Sequence, residues 1–411
     1  MVICFELSCS WLTTDTGLMS GVFCCSRNAI ILDMDKFRRF IKDNKDVLLC
    51  FLGAKVLFAV MLLITKTSYS EVLGFFDAEH YRRIAADGYY IDGETVFFPV
   101  IPLIIRYLGD IGLVVINQIA FITALYLLKK ILLRLKGGAK VSTVLAVAAV
   151  SPLALFTSLE YTEALFFLFT VAAFLLFVEK KYPLLMGLIL GLSVATRNTG
   201  SLLFFAIFTG MCIRLVQSKE KGRCIKDILM CYIPATAISL IYPVFLQLKF
   251  GNWKIFMDAQ YSYWIRIPSN IIETTWISLK VIFTDTYQFD GAVDTIVLFK
   301  INEVLSVLLM AFVIFLIVRE ILLMRRRKTL SAPSVAAIVY SVLFIIAICM
   351  TIRDPKLDCP TDSFYRYYMS LFPMYLGLGR FSEKGADVCL IVSLVISLVT
   401  SSMFCLGAFF F

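Results

Sequence analysis

Histidine and charged side chains are scarce in this sequence. Only one of its 411 residues is a histidine, His80, and aspartate, glutamate, lysine and arginine together make up 17%. Few groups can therefore transfer protons or bind metal ions. Hydrophobic residues make up 60% of the chain, whereas roughly 45–50% is usual in soluble domains. This composition excludes an ordinary soluble domain and predicts that lipid surrounds most of the chain.

Several chemical motifs are also absent. The twelve cysteines lack the C-x-x-C spacing of redox and zinc sites, and most lie in or beside apolar runs, where cysteine acts as a small buried hydrophobe. The sequence has no glycine-rich Walker loop for a nucleotide. The net charge of +9 comes from short basic clusters beside apolar runs rather than from an extended basic face. We therefore expect no nucleic-acid partner and no cysteine-bound metal.

Long apolar runs predict membrane-spanning helices, because about 20 apolar residues cross a hydrocarbon core and backbone groups in lipid must be satisfied internally. We predict about eleven spans, with the basic clusters between them on one side of the membrane. A twelfth apolar run, 97–108, is a candidate re-entrant helix. The predicted spans are 47–64, 111–128, 141–157, 161–178, 183–195, 199–217, 228–248, 294–318, 334–352, 365–379 and 387–408.

The predicted fold class is an all-α integral membrane bundle of these helices, with interfacial helices in the first extracytoplasmic loop. Residues 1–46 are expected to form a cytoplasmic N-terminal segment, and 47–411 one polytopic membrane domain. Residues 1–33 need not belong to the fold, since Met34 is an alternative start. The basic residues of 34–46 place the loop after the first span outside the cytoplasm. A bacterial plasma membrane is favoured over an endoplasmic reticulum membrane.

The segment from Phe75 to Asp87 concentrates acids, bases and the single histidine between two apolar runs. On a helix, Asp77 and His80 share a face, whereas Glu79 points elsewhere. A partly desolvated carboxylate near arginines suits a general base. Alternatively, Asp77 caps the helix that follows it, because aspartate is a preferred N-cap residue. The two roles are compatible.

Three further outside segments carry most of the other polar groups, so one composite site could draw on four loops. Each candidate has a structural alternative. A glutamate at the mouth of an apolar helix is favourable by charge alone, and an arginine there can be an interfacial anchor. His80 with two carboxylates would be a weak metal set, and a hydrogen-bonded helix histidine is the commoner case. The candidates from these segments are Tyr161, Glu163, Arg197, Asn198 and Arg366.

Four blocks between residues 76 and 373 form an ordered set of motifs. They are Phe76-Asp77-Ala78-Glu79-His80-Tyr81 followed by Phe97-Phe98-Pro99, Ser151-Pro152 through Tyr161-Thr162-Glu163, Ala195-Thr196-Arg197-Asn198-Thr199-Gly200, and Arg366-Tyr367 through Phe372-Pro373. Together they resemble the PIG-V family, GPI mannosyltransferase II, which are polytopic glycosyltransferases of the GT-C superfamily. The family usually has tryptophan where this chain has Phe76, and Arg-Ser-Asn-Gly where it has 197–200. Both departures bear on the acceptor rather than on the fold.

The resemblance implies an inverting mannosyltransferase that uses polyprenyl-phosphate-linked mannose, such as dolichyl phosphate mannose. Asp77 would be the general base that activates the acceptor hydroxyl. Arg197 or Arg366 would stabilise the released phosphate, and His80 and Glu163 would bind sugar hydroxyls. The acceptor would be a glycolipid or GPI-like lipid; a small membrane subunit is a candidate partner and a divalent cation a candidate cofactor. Three further residues are candidates for substrate binding: Glu79, Tyr161 and Asn198.

Two alternatives stay open at the level of sequence. A GT-C enzyme could transfer another sugar to a lipid or a protein, because specificity depends on the shape of the pocket. A secondary transporter also has many helices, but it needs ionisable residues near the bilayer midplane and internal repeats. Lys55 is the clearest midspan charge, and no repeat is obvious. The outside aromatics either stack on a sugar ring or anchor the chain at the interface. They are Tyr89, Tyr90, Trp253, Tyr261, Tyr263, Trp264 and Trp276.

Overall fold

The computed structural model describes residue 36 and residues 38–90, 93–135, 137–284, 293–356 and 359–407. Most of the predicted N-terminal segment, including the alternative start Met34, lies outside these ranges. The described residues from 46 to 407 form one compact unit. This unit is predominantly helical and contains all of the elements discussed below, apart from the first residue of the first helix, Lys45.

The helices and strands follow one another along the whole unit. In chain order they are α1 (Lys45–Thr65), α2 (Tyr69–Leu73), α3 (Asp77–Asp87), a 3-10 helix (Gly93–Val96), α4 (Val100–Leu135), α5 (Val141–Val150), α6 (Leu153–Phe156), α7 (Glu163–Glu179), α8 (Pro183–Thr196), α9 (Gly200–Gln217), α10 (Lys221–Phe250), α11 (Ile255–Ser262), β1 (Arg266–Pro268), α12 (Ile271–Phe283), α13 (Val293–Arg327), α14 (Ala332–Cys349), β2 (Thr351–Arg353), α15 (Phe364–Met369), α16 (Pro373–Leu378) and α17 (Glu383–Cys405).

In the described part of the chain, seven helices are long and apolar enough to cross a membrane: α1, α4, α9, α10, α13, α14 and α17. The chain is therefore an all-α, polytopic integral membrane protein, as the apolar runs predict. Large apolar side chains face outward from several of these helices; Leu63 of α1 is 77% exposed and Leu248 of α10 is 82% exposed. Such faces suit contact with lipid.

Proline and glycine account for several differences from the predicted spans. The run 141–157 contains the ten-residue helix α5, followed by Ser151-Pro152 and α6. The predicted span 365–379 is not one helix, because α15 ends at Met369 and a second short helix starts at Pro373; proline lacks the amide hydrogen that would continue a helix. The run 97–108 joins the next span in α4, which is interrupted at Gly109 with φ 71°. Helices α7 and α8 lie at the predicted spans 161–178 and 183–195. With 17 and 14 residues, they are shorter than the seven helices named above.

Small residues allow two of the central helices to approach closely. A Cβ atom at Gly187 of α8 would overlap the carbonyl of Cys231 in α10, and one at Gly191 would lie 2.6 Å from Cβ of Ile238. Close contact through small residues is typical of helix packing in membranes. The C-terminal end of α8 is thereby held in place, immediately before the turn that carries Arg197.

The connecting segments at one end of the helices also pack together. Two short helices, α2 and α3, occupy the first loop, and their position relative to a membrane stays a prediction. Strand β1 pairs antiparallel with β2, with Arg266 opposite Arg353. The Trp264 indole nitrogen donates to the carbonyl of Gly93 at 2.9 Å. The loops after α1, α10 and α14 therefore form one continuous structure.

Candidate functional site

A cavity of about 430 Å³ lies where these loops meet. Ligand pockets are usually about 300–1,000 Å³, so the cavity is large enough for a small ligand. Its wall includes residues from all four outside segments in which the sequence predicts site residues. Among the predicted residues, those that line it are Asp77, His80, Arg197, Asn198 and Arg366.

Asp77 is the first residue of α3 and its carboxylate faces the cavity. Phe76, directly before it, has φ 55° and ψ −115°, a conformation that costs free energy in a residue with a side chain. This strained turn directs Asp77 towards Arg366, whose Nη2 donates to Asp77 Oδ2 at 2.9 Å. Phe76 occupies the N-cap position and no side-chain cap bond forms there. The capping role is therefore not observed.

Arg366 joins Asp77 to a second, fully buried carboxylate. Its Nε lies 3.2 Å from Oε1 of Glu163, and Arg197 Nη1 lies 2.9 Å from the same oxygen. The side chain of Arg366 is 4% exposed and that of Glu163 is 0% exposed. Burial lowers the pKa of Arg366, but Asp77 and Glu163 outweigh it and raise that pKa well above its usual range. Asp77, Arg366, Glu163 and Arg197 thus form one network of alternating charges, hereafter the ion-pair network.

Aromatic rings enclose the two arginines of this network. The Arg197 guanidinium lies 4.4 Å from the centre of the Tyr367 ring, and that of Arg366 lies 5.4 Å from the centre of Tyr161. Cations and aromatic faces attract each other, more strongly when desolvated. Both arginines are therefore held inside the protein, so the interfacial-anchor alternative is not observed for either of them.

Two predicted residues lie behind the cavity wall. Tyr161 is buried, and its hydroxyl donates to the carbonyl of Phe75 at 2.9 Å, which supports the turn before Asp77. Glu163 is the first residue of α7, so its negative charge also lies at a helix N-terminus, where it is favourable. Neither residue is part of the cavity lining. Both contact the residues that are.

His80 lies on the same face of α3 as Asp77. Its ring stacks on Phe97 with centres 4.9 Å apart, and Trp264 packs edge-on at 5.3 Å. Burial lowers the pKa of His80; Asp77 raises it in part, and Arg83 lowers it further. Arg83 Nη2 lies 3.1 Å from Nδ1 of His80, so Nε2 is the ring nitrogen that can hydrogen-bond to a ligand. The described residues include no group of three or more histidine, cysteine, aspartate and glutamate side chains that could hold a metal.

The remaining two predicted residues differ in their placement. Asn198 is exposed and lines the cavity in the turn before α9. This turn needs a glycine at 200, because a Cβ atom there would lie 2.5 Å from the carbonyl of Ser193. Glu79 is exposed on α3 and does not line the cavity. The helical spacing already places it away from Asp77.

A bidentate ion pair fastens α3 to the turn before α7. Arg82 donates from Nε and Nη2 to the two carboxylate oxygens of Glu160 at 2.7 and 2.8 Å. Burial raises the pKa of Glu160, and Arg82 partly offsets this effect. Lys55 of α1 reaches the same turn, donating to the hydroxyl of Ser158 at 2.8 Å. These contacts hold α1 and α3 against the turn that precedes Glu163.

Arg266 is a cavity residue that the sequence does not single out. It lies in the three-residue strand β1, between isoleucines, and has no charged neighbour in the sequence. Its partner strand supplies Arg353, which lies 3.0 Å from Asp362; both also line the cavity. The pairing of two distant strands is what brings Arg266 to the site. The available signal is Trp264, a predicted sugar-stacking or interfacial aromatic two residues before Arg266.

No family model matches the chain, and no curated protein matches it by sequence. Several solved structures of the oligosaccharyltransferase of Archaeoglobus fulgidus align with it. The form tethered with an acceptor peptide containing the NVT sequon aligns with TM-score 0.48 and 13% identity, over 90% of this chain and 56% of that chain. AglB from the same organism, in complex with an inhibitory peptide and a dolichol-phosphate, aligns with TM-score 0.47 and 12% identity, over 88% and 56%. The chain spans little more than half the length of these proteins.

Proposed function

We propose that the protein is a membrane glycosyltransferase that transfers mannose from a polyprenyl-phosphate donor, such as dolichyl phosphate mannose, to a glycolipid or GPI-like acceptor. The ion-pair network at the cavity is the main support. Its four members come from four separate segments, and each segment belongs to one of the motif blocks that resemble the PIG-V family. The proposed reaction takes place on the extracytoplasmic side, with inversion at the anomeric carbon.

Asp77 acts as the general base in this proposal. Arg366 binds its Oδ2 at 2.9 Å, so Oδ1 can accept the proton of the acceptor hydroxyl. The acceptor oxygen forms a bond to the anomeric carbon while the bond from that carbon to the phosphate oxygen breaks. The electron pair of the broken bond leaves with the lipid phosphate. Arg366 holds the Asp77 carboxylate in position for this step.

The other cavity residues bind and orient the sugar. His80 and Asn198 can hydrogen-bond to sugar hydroxyls, and the rings of Phe97 and Trp264 offer apolar faces in the cavity. Glu163 and Tyr161 lie behind the wall, so we assign them a positioning role through Arg366 and the turn at Phe75.

The donor test compares several labelled lipid-linked sugars in membranes that contain the full chain. Polyprenyl phosphate mannose is expected to label a lipid product, whereas polyprenyl phosphate glucose is not. Labelling from polyprenyl phosphate glucose alone would show that glucose, and not mannose, is the transferred sugar. Labelling from neither donor, with protein present at matched amount, would contradict the proposed activity. The chemical structure of the labelled product identifies the acceptor.

A further inference from the structure

The charged residues around the cavity do not balance. Four arginines line it: Arg197, Arg266, Arg353 and Arg366. Three carboxylates pair with three of them, since Glu163 and Asp77 hold Arg197 and Arg366, and Asp362 holds Arg353. Within the described residues, Arg266 has no carboxylate partner. These four arginines and three carboxylates together carry one excess positive charge.

Arg266 is also sparsely hydrogen-bonded. Its one described side-chain bond is from Nη1 to the carbonyl of Thr351, at 3.4 Å, which is a long bond. A guanidinium has five N–H groups in a planar fork. Most of the donors of Arg266 are therefore available to a ligand.

The pKa of the Tyr367 hydroxyl is sensitive to the arginines around the cavity. Burial raises the pKa of a phenol, and it raises that of the neighbouring Tyr161 well above its usual range. Burial acts on Tyr367 in the same direction, yet Arg366, Arg197 and Arg266 lower its pKa below the ordinary value. Positive potential therefore extends from the ion-pair network to Arg266.

We infer that Arg266 binds the phosphate of the lipid-linked sugar donor. The inference rests on the proposed function. A polyprenyl phosphate sugar is a phosphodiester with one negative charge, which matches the one excess positive charge of the site. Drawing Arg197 away to bind a phosphate would remove one of the two partners of the fully buried Glu163, and drawing Arg366 away would separate it from both Glu163 and Asp77. The guanidinium fork of Arg266 suits bidentate contact with phosphate oxygens.

The same position serves the leaving group. When the bond from the anomeric carbon to the phosphate oxygen breaks, its electron pair stays on that oxygen, and the lipid phosphate gains one negative charge. The proton of the acceptor hydroxyl moves to Asp77. Arg266 therefore stabilises charge that develops during the transfer, while Asp77 takes up the proton.

The test measures binding of polyprenyl phosphate and of uncharged polyprenol to the full chain in nanodiscs. The difference between the two ligands isolates recognition of the phosphate from binding of the tail. The wild type should prefer polyprenyl phosphate, and Arg266→Gln should lose that preference by about ten- to a hundredfold, as expected for a charge-assisted hydrogen bond. Arg266→Lys should retain part of it. The control is Arg223→Gln, since Arg223 is exposed and pairs with Glu220 away from the cavity.

The outcomes separate this inference from the proposed function. Loss of the phosphate preference in Arg266→Gln, with polyprenol binding and the control unchanged, supports the inference. An unchanged preference in Arg266→Gln overturns the inference and would indicate that Arg197 or Arg366 binds the phosphate. A wild type that does not distinguish the two lipids contradicts the proposed lipid-phosphate donor itself. Retained polyprenol binding shows that the variant is folded.

Discussion

Buried charge is the defining feature of the site at the scale of single residues. Glu163 is fully buried and is shared by Arg197 and Arg366. The sequence indicates Asp77, Glu163 and both arginines as site residues, because charges are rare in so apolar a chain. It cannot indicate which charges pair, since Asp77 and Arg366 are almost 290 positions apart and only the tertiary structure joins them. The sequence does not indicate Arg266 for the same reason, because the pairing of β1 with the distant β2 brings it to the cavity.

Replacing Glu163 by glutamine should destabilise the protein strongly. Both arginines would lose their shared buried partner, and breaking a buried ion pair typically costs about 3–5 kcal/mol. The measurement is the free energy of unfolding in detergent. Glu383→Gln is the control, because Glu383 and Lys140 form a pair at the surface, where an ion pair contributes about 0–1 kcal/mol. Equal effects of the two substitutions would contradict the account of the network.

His80 should make stability depend on pH. The fold lowers its pKa, so the unfolded chain binds the proton more tightly, and stability is lost as pH falls from the ordinary histidine pKa of about 6.5 towards the lower folded value. We expect the melting temperature of the wild type to fall more between pH 7.5 and pH 5.5 than that of His80→Asn. Other titrating groups are common to both proteins. An equal fall in the two would show that His80 is not responsible.

At the scale of elements, short turns decide where the site residues lie. Hydropathy predicts the apolar runs but not where a helix breaks, because a break depends on local backbone conformation and packing. The run 365–379 is apolar enough for a span, yet Pro373 begins a separate helix there, and the preceding short helix brings Arg366 to Asp77. The composite site itself could be predicted, because the polar groups gather in four loops on one side.

Gly200→Ala should displace the turn that carries Arg197. A new Cβ atom would lie 2.5 Å from the Ser193 carbonyl, and such overpacking typically costs about 1–3 kcal/mol. The transfer rate should fall as well, because Arg197 would move relative to Glu163. The control is Gly222→Ala, whose Cβ would meet nothing within 4 Å. Unfolding and sugar transfer measured on both variants check this, and a Gly200 variant as stable and active as its control would contradict it.

At the scale of the whole molecule, two ionisable residues within spans have structural partners. Lys55 of α1 donates to Ser158, and Glu303 of α13 accepts from the backbone amide of Thr361 at 2.9 Å. A transporter would need such groups to bind an ion or a substrate. Here they fasten the loops that build the cavity. The all-α polytopic class follows from composition, whereas the number of continuous spans does not, because it depends on breaks that hydropathy does not register.

The most direct measurement is transfer of labelled mannose from polyprenyl phosphate mannose to endogenous membrane lipids by wild type and Asp77→Asn, at matched amounts of folded protein. Asparagine keeps the shape of the side chain but removes the base, so transfer should fall by at least about a hundredfold. Asp87→Asn is the control, because Asp87 is exposed at the other end of α3 and lies outside the cavity; it should transfer like the wild type. Equal transfer by wild type and Asp77→Asn would contradict the assignment of Asp77 as the general base.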